Sequence, residues 1–370
     1  MADFKFTYPE IPMPYNGAPA FQTHPLDAET DRSAVVFRAW EPMTVTTVSF
    51  RQGTVTGGPD VLRVGLQEVD VANGLPNGTW LGGVSNYGTV SGTSLATGWN
   101  TGNNNSFLTR TLPTSVTLTR GQTVALVLDP VADGSGNGWD ASDLVNISRS
   151  MTTSHGFRGP YVVDNAAKGT VQNPVFKIST STKSYGLPIE TVTSRSVGTG
   201  TSPAINEWGN RFRIPTTVCA TYKIEGVRIG GVPSSADWRL RLYDTDGTTV
   251  LQEVTVDKDE LNLGTAYVAN IYWENATLAT LNAGSYYRIA FAPTTATATG
   301  AIYAFDLDAA LDRGCFVGDP ADISATERRD PGAWTETDTR IWAMQALVCD
   351  ITAPVGGGGL AANPLAGYVR

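Results

Sequence analysis

The sequence predicts an all-β protein made of two tandem jelly-roll-like antiparallel β-sandwich domains, with an extended N-terminal arm and a flexible C-terminal tail. Three observations predict it. First, one β pattern occurs twice. The segments starting at Leu118 and at Leu281 both read Leu-x-x-Gly-x-x-x-x-(Leu/Ile)-x-(Leu/Phe)-x-Pro, ending at Pro130 and Pro293, a displacement of 163 residues (284 − 121). A repeat of such long period means two copies of one domain rather than a solenoid. Second, two more segment pairs follow the same order. Pro42, Val45 and Gly53 match Pro215, Val218 and Gly226 at a displacement of 173 residues (215 − 42). Leu62-Arg-Val64-Gly-Leu66 then parallels Trp238-Arg-Leu240-Arg-Leu242 at 176 (238 − 62). Third, the chain is 41% hydrophobic but only 16% charged, with 39 Gly and abundant Thr. Thr, Val and aromatics favour pleated strands, while Gly, Asn, Asp and Pro favour turns. No helical periodicity runs longer than a turn or two, and 370 residues suit two domains with ordinary cores.

Residues 1–33 form the arm. Pro9, Pro12, Pro14, Pro19 and Pro25 oppose both helix and central strand. Tyr8, Tyr15 and Phe21 lie between them, and these rings must pack on the chain's own first domain or on a neighbouring subunit. They are therefore candidate assembly residues. Domain one covers 34–180, with strands expected at 34–40, 45–50, 61–69, 106–112, 116–118 and 123–129. Alternation is clearest where Arg63 separates Leu62 from Val64. Residues 181–205, rich in Ser, Thr and Gly, read as a linker or loose crossing strand.

Domain two covers 206–352, with strands expected at 211–214, 217–229, 238–244, 250–256, 266–273, 286–292 and 340–349. Trp238 and Trp273 fall at strand positions and read as core. Residues 353–370 are a tail. Its four consecutive glycines cannot hold a fixed fold alone. Beyond them Leu360, Leu365 and Tyr368 read as an anchor for another surface, or equally as part of a disordered terminus. Many short strands, long loops and about 150 residues per copy favour jelly rolls over compact immunoglobulin-type domains.

The chemistry is sparse. The net charge of −9 and the lack of a basic run argue against nucleic-acid binding. No stretch has the apolar length of a transmembrane helix, so no membrane insertion is expected. The Met-Ala-Asp-Phe-Lys start lacks a signal-peptide core, which points to folding in a cytosol. Cys219, Cys315 and Cys349 are odd in number and without zinc-ligand spacing, so they read as buried thiols. His24 and His155 are the two histidines, and neither has a nucleophile motif beside it. Glu207, Asp306 and Asp308 are candidate acids for glycoside hydrolysis only if a pair is suitably spaced. Asp244-Thr-Asp246-Gly247 reads as a hairpin turn ahead of a calcium loop, because the downstream acid is missing. The Asp133–Asp140 stretch is similar. No metal or cofactor is implied, and the chain is read as non-enzymatic. Trp80, Trp99 and Trp139 sit in or beside Gly/Asn-rich loops. Exposed rings flanked by amides suit a sugar-binding surface, and the alternative is that they cap the sandwich ends or meet a subunit.

The stretch Leu62–Asp70, the turn Gly74-Leu-Pro-Asn-Gly-Thr79 and the closing Leu-x-x-Gly…Pro strand resemble β-sandwich modules of bacteriophage virion proteins. The low charge and Thr/Gly/Asn-rich make-up agree with that resemblance. It extends over both domains. It implies a structural role in a capsid, tail or fibre, located in the virion after synthesis in the host cytoplasm. The partners it implies are other copies of the chain, other virion proteins and a host-surface glycan. It carries no catalytic residue over.

Overall fold

A computed structural model describes residues 4–8, 20–39, 42–91, 99, 106–119, 121–132, 138–152, 161–165, 167–169, 172–182, 184–186, 189–197, 205–216, 219–232, 236–258, 267–274, 277–295, 300–307, 323–330 and 332–352. The described residues form antiparallel sheets, and no helix occurs among them. The chain divides into two compact units, one of residues 20–190 and one of residues 1–19 with 191–370.

β1 (Phe4–Tyr8) opens the chain. The 20–190 unit begins with β2 (Ala20–Leu26), β3 (Ser33–Arg38), β4 (Met43–Thr56), β5 (Val61–Val69), β6 (Pro76–Trp80) and β7 (Tyr87–Val90). It continues with β8 (Phe107–Leu118), β9 (Thr123–Val131), β10 (Leu144–Thr152) and β11 (Tyr161–Asp164). It closes with β12 (Ala167–Gly169), β13 (Gln172–Pro174), β14 (Phe176–Ser179) and β15 (Ser184–Gly186). The other unit takes up β16 (Ile189–Val197), β17 (Ile205–Phe212), β18 (Thr221–Val232), β19 (Trp238–Tyr243) and β20 (Val250–Val256). It continues with β21 (Tyr267–Tyr272), β22 (Leu281–Asn282), β23 (Tyr287–Pro293) and β24 (Gly300–Leu307). It ends with β25 (Ile323–Asp330), β26 (Thr335–Thr337), β27 (Arg340–Trp342) and β28 (Met344–Cys349).

The two units pair their strands in the same way. One sheet of the 20–190 unit has the order β12-β11-β3-β9-β5-β6, and its counterpart reads β26-β25-β17-β23-β19-β20. In the second sheets, β13-β10-β4-β14-β15 corresponds to β27-β24-β18-β28-β1, with β2 on β10 matching β16 on β24. β8 on β4 matches β21 and β22 on β18. Chain order is kept throughout, apart from β1.

The turn that first revealed the repeat is also reproduced. Gly121 and Gly284 both have φ of 82°. The Gly121 N–H donates to the Ala39 carbonyl and the Gly284 N–H to the Ile214 carbonyl, each at 2.8 Å. A side chain at this φ would crowd the backbone, which is why glycine stands at both places.

Alternation explains the cores. Along β5, Leu62, Val64 and Leu66 are fully buried. They share a face with Val35 and Phe37 of β3, and Phe37 stacks on Phe176 of β14 in the second sheet at 5.3 Å. In the other unit, Trp238 packs on Phe291 at 4.9 Å, and Tyr222 of β18 meets Tyr287 of β23 edge-on. Asn210 ties β17 to the opposite sheet by donating to the Trp342 and Met344 carbonyls at 2.8 and 3.0 Å. Trp238 and Trp273 are buried, as their strand positions suggested.

Strands 61–69 and 250–256 have the bounds expected from alternation. The segments 106–112 and 116–118 fuse into the single strand β8. The extended arm contributes two strands, since residues 4–8 and 20–26 pair with β28 and β10. Pro25 is accommodated because β10 is the one described partner of β2, and a sheet edge tolerates proline. The 181–205 stretch also holds β15 and β16, as its Thr and Ile content permits.

Candidate functional site

The outer face of the β12-β11-β3-β9-β5-β6 sheet concentrates the polar chemistry of the 20–190 unit. Pleating sends Arg63, Gly65 and Gln67 of β5 away from the core face that Leu62, Val64 and Leu66 occupy. Ala34, Val36, Ala125, Val127, Val163 and the Trp80 ring form an apolar cluster on this outer side. Gly65 makes room for the ring, because a Cβ there would lie 3.0 Å from the Trp80 six-membered ring. Tyr87 packs beside Trp80 with centroids 5.2 Å apart.

Arg63 stands opposite Asp129 of β9 in the ladder and forms an ion pair with its Oδ2. The Arg63 guanidinium also lies 5.3 Å from the Tyr87 ring centre. The second Asp129 oxygen accepts from Arg32 Nε at 2.8 Å. Asp129 is buried, whereas the Arg32 side chain is 57% exposed. Gln67 is buried, and its Oε1 accepts from the Gly78 N–H at 3.2 Å. Between these groups lies a groove of about 360 Å³, lined by Arg32, Arg63, Gln67, Thr79, Trp80 and Asp129 among others. Its volume is in the range of small-molecule sites, and it combines an aromatic wall with convergent donors.

The other unit carries a related arrangement on the corresponding sheet. Glu207 of β17 is 1% exposed. Its Oε1 accepts from Arg241 Nη1 at 2.8 Å, its Oε2 accepts from Arg328 Nε at 2.7 Å, and Tyr243 Oη lies 2.9 Å from both oxygens. Arg328 stacks over Trp334 at 4.5 Å. Trp334 is itself anchored by its indole N–H to the Gly247 carbonyl at 2.8 Å. Glu336 accepts from Arg211 and Arg288 at 2.8 and 2.9 Å. Burial, and secondarily the Glu207 charge, push the Tyr243 hydroxyl up to about 12. Both oxygens of Glu207 are thus engaged by cations, and at 1% exposure the carboxylate is shielded from solvent. Each unit therefore buries one carboxylate between two arginines on the same sheet, although on different strands.

No family model, curated protein or solved structure matches this chain.

The three tryptophans do not present exposed faces. Trp80, Trp99 and Trp139 are 8%, 2% and 7% exposed. Trp99 and Trp139 meet edge to face at 5.9 Å, and their indole N–H groups donate to the Pro59 and Val131 carbonyls at 3.1 and 3.2 Å. A ring whose N–H finds a backbone carbonyl can be buried even beside a polar loop. The structure brings Trp99 and Trp139 together, and Trp80 alone borders the groove. Phe21 lies in β2 with the Arg51 guanidinium 3.7 Å over its ring. Tyr8 lies in β1 opposite Ala346. Tyr15, Leu360, Leu365 and Tyr368 fall outside the described residues, as do Cys315, His155, Asp308 and residues 133–137.

His24 of β2 contacts Asp164 of β11 at 2.9 Å. Cys219 and Cys349 are buried thiols, and burial pushes Cys219 up to about 11. The Asp244–Gly247 segment is a hairpin turn. Gly247 donates to the Asp244 carbonyl at 2.9 Å, and Asp246 accepts from the Thr248 and Thr249 N–H groups at 2.8 Å. No cluster of metal-ligating side chains occurs among the described residues. Sequence reasoning missed Arg32, Asp129, Arg241 and Arg328. The one available signal was an arginine at an outward position of a strand, as at Arg63 and Arg241.

Proposed function

We propose that this chain is a non-enzymatic structural subunit of a bacteriophage virion, of tail, fibre or head-decoration type. In this reading it is built from two jelly-roll-like sandwich domains and assembles as a homo-oligomer with other virion proteins. The observation that carries the reading is the duplicated strand pairing. The two units share a pairing scheme and a buried carboxylate–arginine lock, so what the copies hold in common is scaffold. The test is direct detection of the chain in purified particles, by mass spectrometry and by antibody labelling in electron micrographs. Absence of the chain from intact particles refutes the reading.

The groove beside Trp80 favours a second reading, a carbohydrate-binding protein that contacts host-surface glycan. Sugar recognition uses an apolar wall for the ring face and planar donors for the hydroxyls. Gln67, Thr79 and the two arginines supply the polar part of that combination, and the largely buried Trp80 borders it. A glycan array probed with the unaltered chain and with Arg32→Gln tests it. Binding that is lost or weakened about tenfold in the variant supports the reading. No bound glycan, or equal binding by the two chains, removes it.

A further inference from the structure

We infer that β1 is an exchanged strand, passed from one copy of this chain to the next in a head-to-tail assembly. The argument starts from the matching sheets. In the 20–190 unit, β15 pairs with β14 and so completes the second sheet. Only Leu187 and Pro188 then separate β15 from β16, the first strand of the following unit. A strand that finishes one unit therefore leads straight into the next. β1 repeats this pattern. It pairs antiparallel with β28, the counterpart of β14, and it leads into β2, the counterpart of β16. By position, β1 is the strand that finishes a preceding unit. Within one chain it does so by closing back on β28.

The β28 edge makes the same ladder with β1 whichever chain supplies it. The ladder comprises Phe4 with Cys349, Phe6 with Val348, Thr7 with Leu347 and Tyr8 with Ala346. Only the connector distinguishes the two closures. Residues 9–19 separate β1 from β2, and four of them are proline. At about 3.1 Å per residue, eleven residues reach at most about 34 Å, against the two residues that join β15 to β16. On this inference the long connector lets β1 fill the β28 edge of a second copy instead of its own. Because donor and acceptor are different surfaces, the contact is heterologous, and repetition produces a ring or an open filament. This inference rests on the reading of the chain as a self-assembling subunit. Which particle it belongs to, or whether it binds glycan, does not enter.

The test places a thiol at the first ladder position. Partners in an antiparallel ladder have Cα atoms about 4.5–5.5 Å apart, within the range a disulfide spans. The full chain carrying Phe4→Cys and Cys315→Ser is oxidised at a series of protein concentrations and run without reductant. Peptide mass spectrometry then identifies the linkage from the engineered thiol to Cys349. The expected result is covalent dimers and higher species containing that linkage, rising several-fold with concentration and absent when Phe4 is native. A linkage found only in single chains at every concentration overturns the inference, and so does no linkage at all. Deletion of residues 1–8 gives a second readout by light scattering. The truncated chain is expected at the mass of a single copy, and an oligomer of unchanged mass overturns the inference. Strand exchange in a chain missing from particles refutes the virion reading alone.

Discussion

Glu207 offers the sharpest quantitative prediction. The substitution Glu207→Gln removes a charge with little change of shape, at a position 1% exposed. The carboxylate receives one hydrogen bond from Arg241 and one from Arg328, at 2.8 and 2.7 Å. Bonds to charged groups are worth about 1.5–3 kcal/mol each. The amide keeps one acceptor oxygen, but its NH₂ group turns a donor towards a guanidinium. Arg328 is itself buried, so it loses its Glu207 charge partner without gaining access to water. Breaking one side of a buried ion pair costs about 3–5 kcal/mol, and that is the expected loss. With an m-value of about 2–3 kcal/mol/M, the urea midpoint falls by about 1–2 M. The internal comparison is Glu253→Gln. Glu253 also pairs with Arg241, but its side chain is 42% exposed, so the expected loss is under about 1 kcal/mol. Tryptophan fluorescence in urea follows both variants. A Glu207→Gln loss below about 1 kcal/mol at unchanged m, or equal losses for the two variants, would refute the reasoning.

Three further outcomes are expected. Trp99→Ala empties a buried site and frees the Trp139 edge, which costs about 3–5 kcal/mol in chemical denaturation, whereas a loss near zero means that the ring is solvent-facing. Gly209→Ala would place a Cβ 1.9 Å from the Ile289 carbonyl oxygen, so it should lose about 1–3 kcal/mol or more, while Gly138→Ala, with open space at that position, stays within about 0.5 kcal/mol in the same melts. In base, the folded state holds the Tyr243 proton up to about pH 12, against an ordinary value of 10.0, so its contribution is complete below pH 10 and lost as pH rises through 12. A shift of this size corresponds to about 3 kcal/mol, and Tyr243→Phe should flatten the alkaline slope of stability, with an unchanged slope disproving the assignment.

The legible part of the fold was the part with strict alternation. In 61–69 and 250–256 the apolar residues recur at every second position, and no other element competes for that pattern. β16 was harder to see, because Ile189–Val197 mixes two Thr and two Ser with a Glu and an Arg and reads equally well as a connector. β25 carries two arginines, a glutamate and an aspartate, a composition that local propensity places in a loop. It becomes a strand because Glu207, opposite Arg328 in the β17 ladder, supplies the charge partner. The candidate site was less legible for the same reason. Asp129 finds Arg63 and Arg32 at separations of 66 and 97 residues. Trp99 and Trp139 lie beside Gly/Asn-rich runs that suggest exposure. Their burial depends on the Pro59 and Val131 carbonyls, which no local pattern announces.

The shared φ of 82° at Gly121 and Gly284 bears on how relatives of this unit would be found. Side chains in the two cores can be exchanged when their neighbours repack around them, and the two copies have done so. Trp238 stands where Leu62 stands, and Tyr287 stands where Val124 stands in the other copy. The backbone at the turn has no such latitude, because a different residue there forces the following strand out of line with its neighbour. Divergence therefore erases the resemblance of the strands first and that of the turn last. A search for further copies, in this chain's neighbours or elsewhere, should weight that single glycine and its distance to the closing proline above any similarity in the cores.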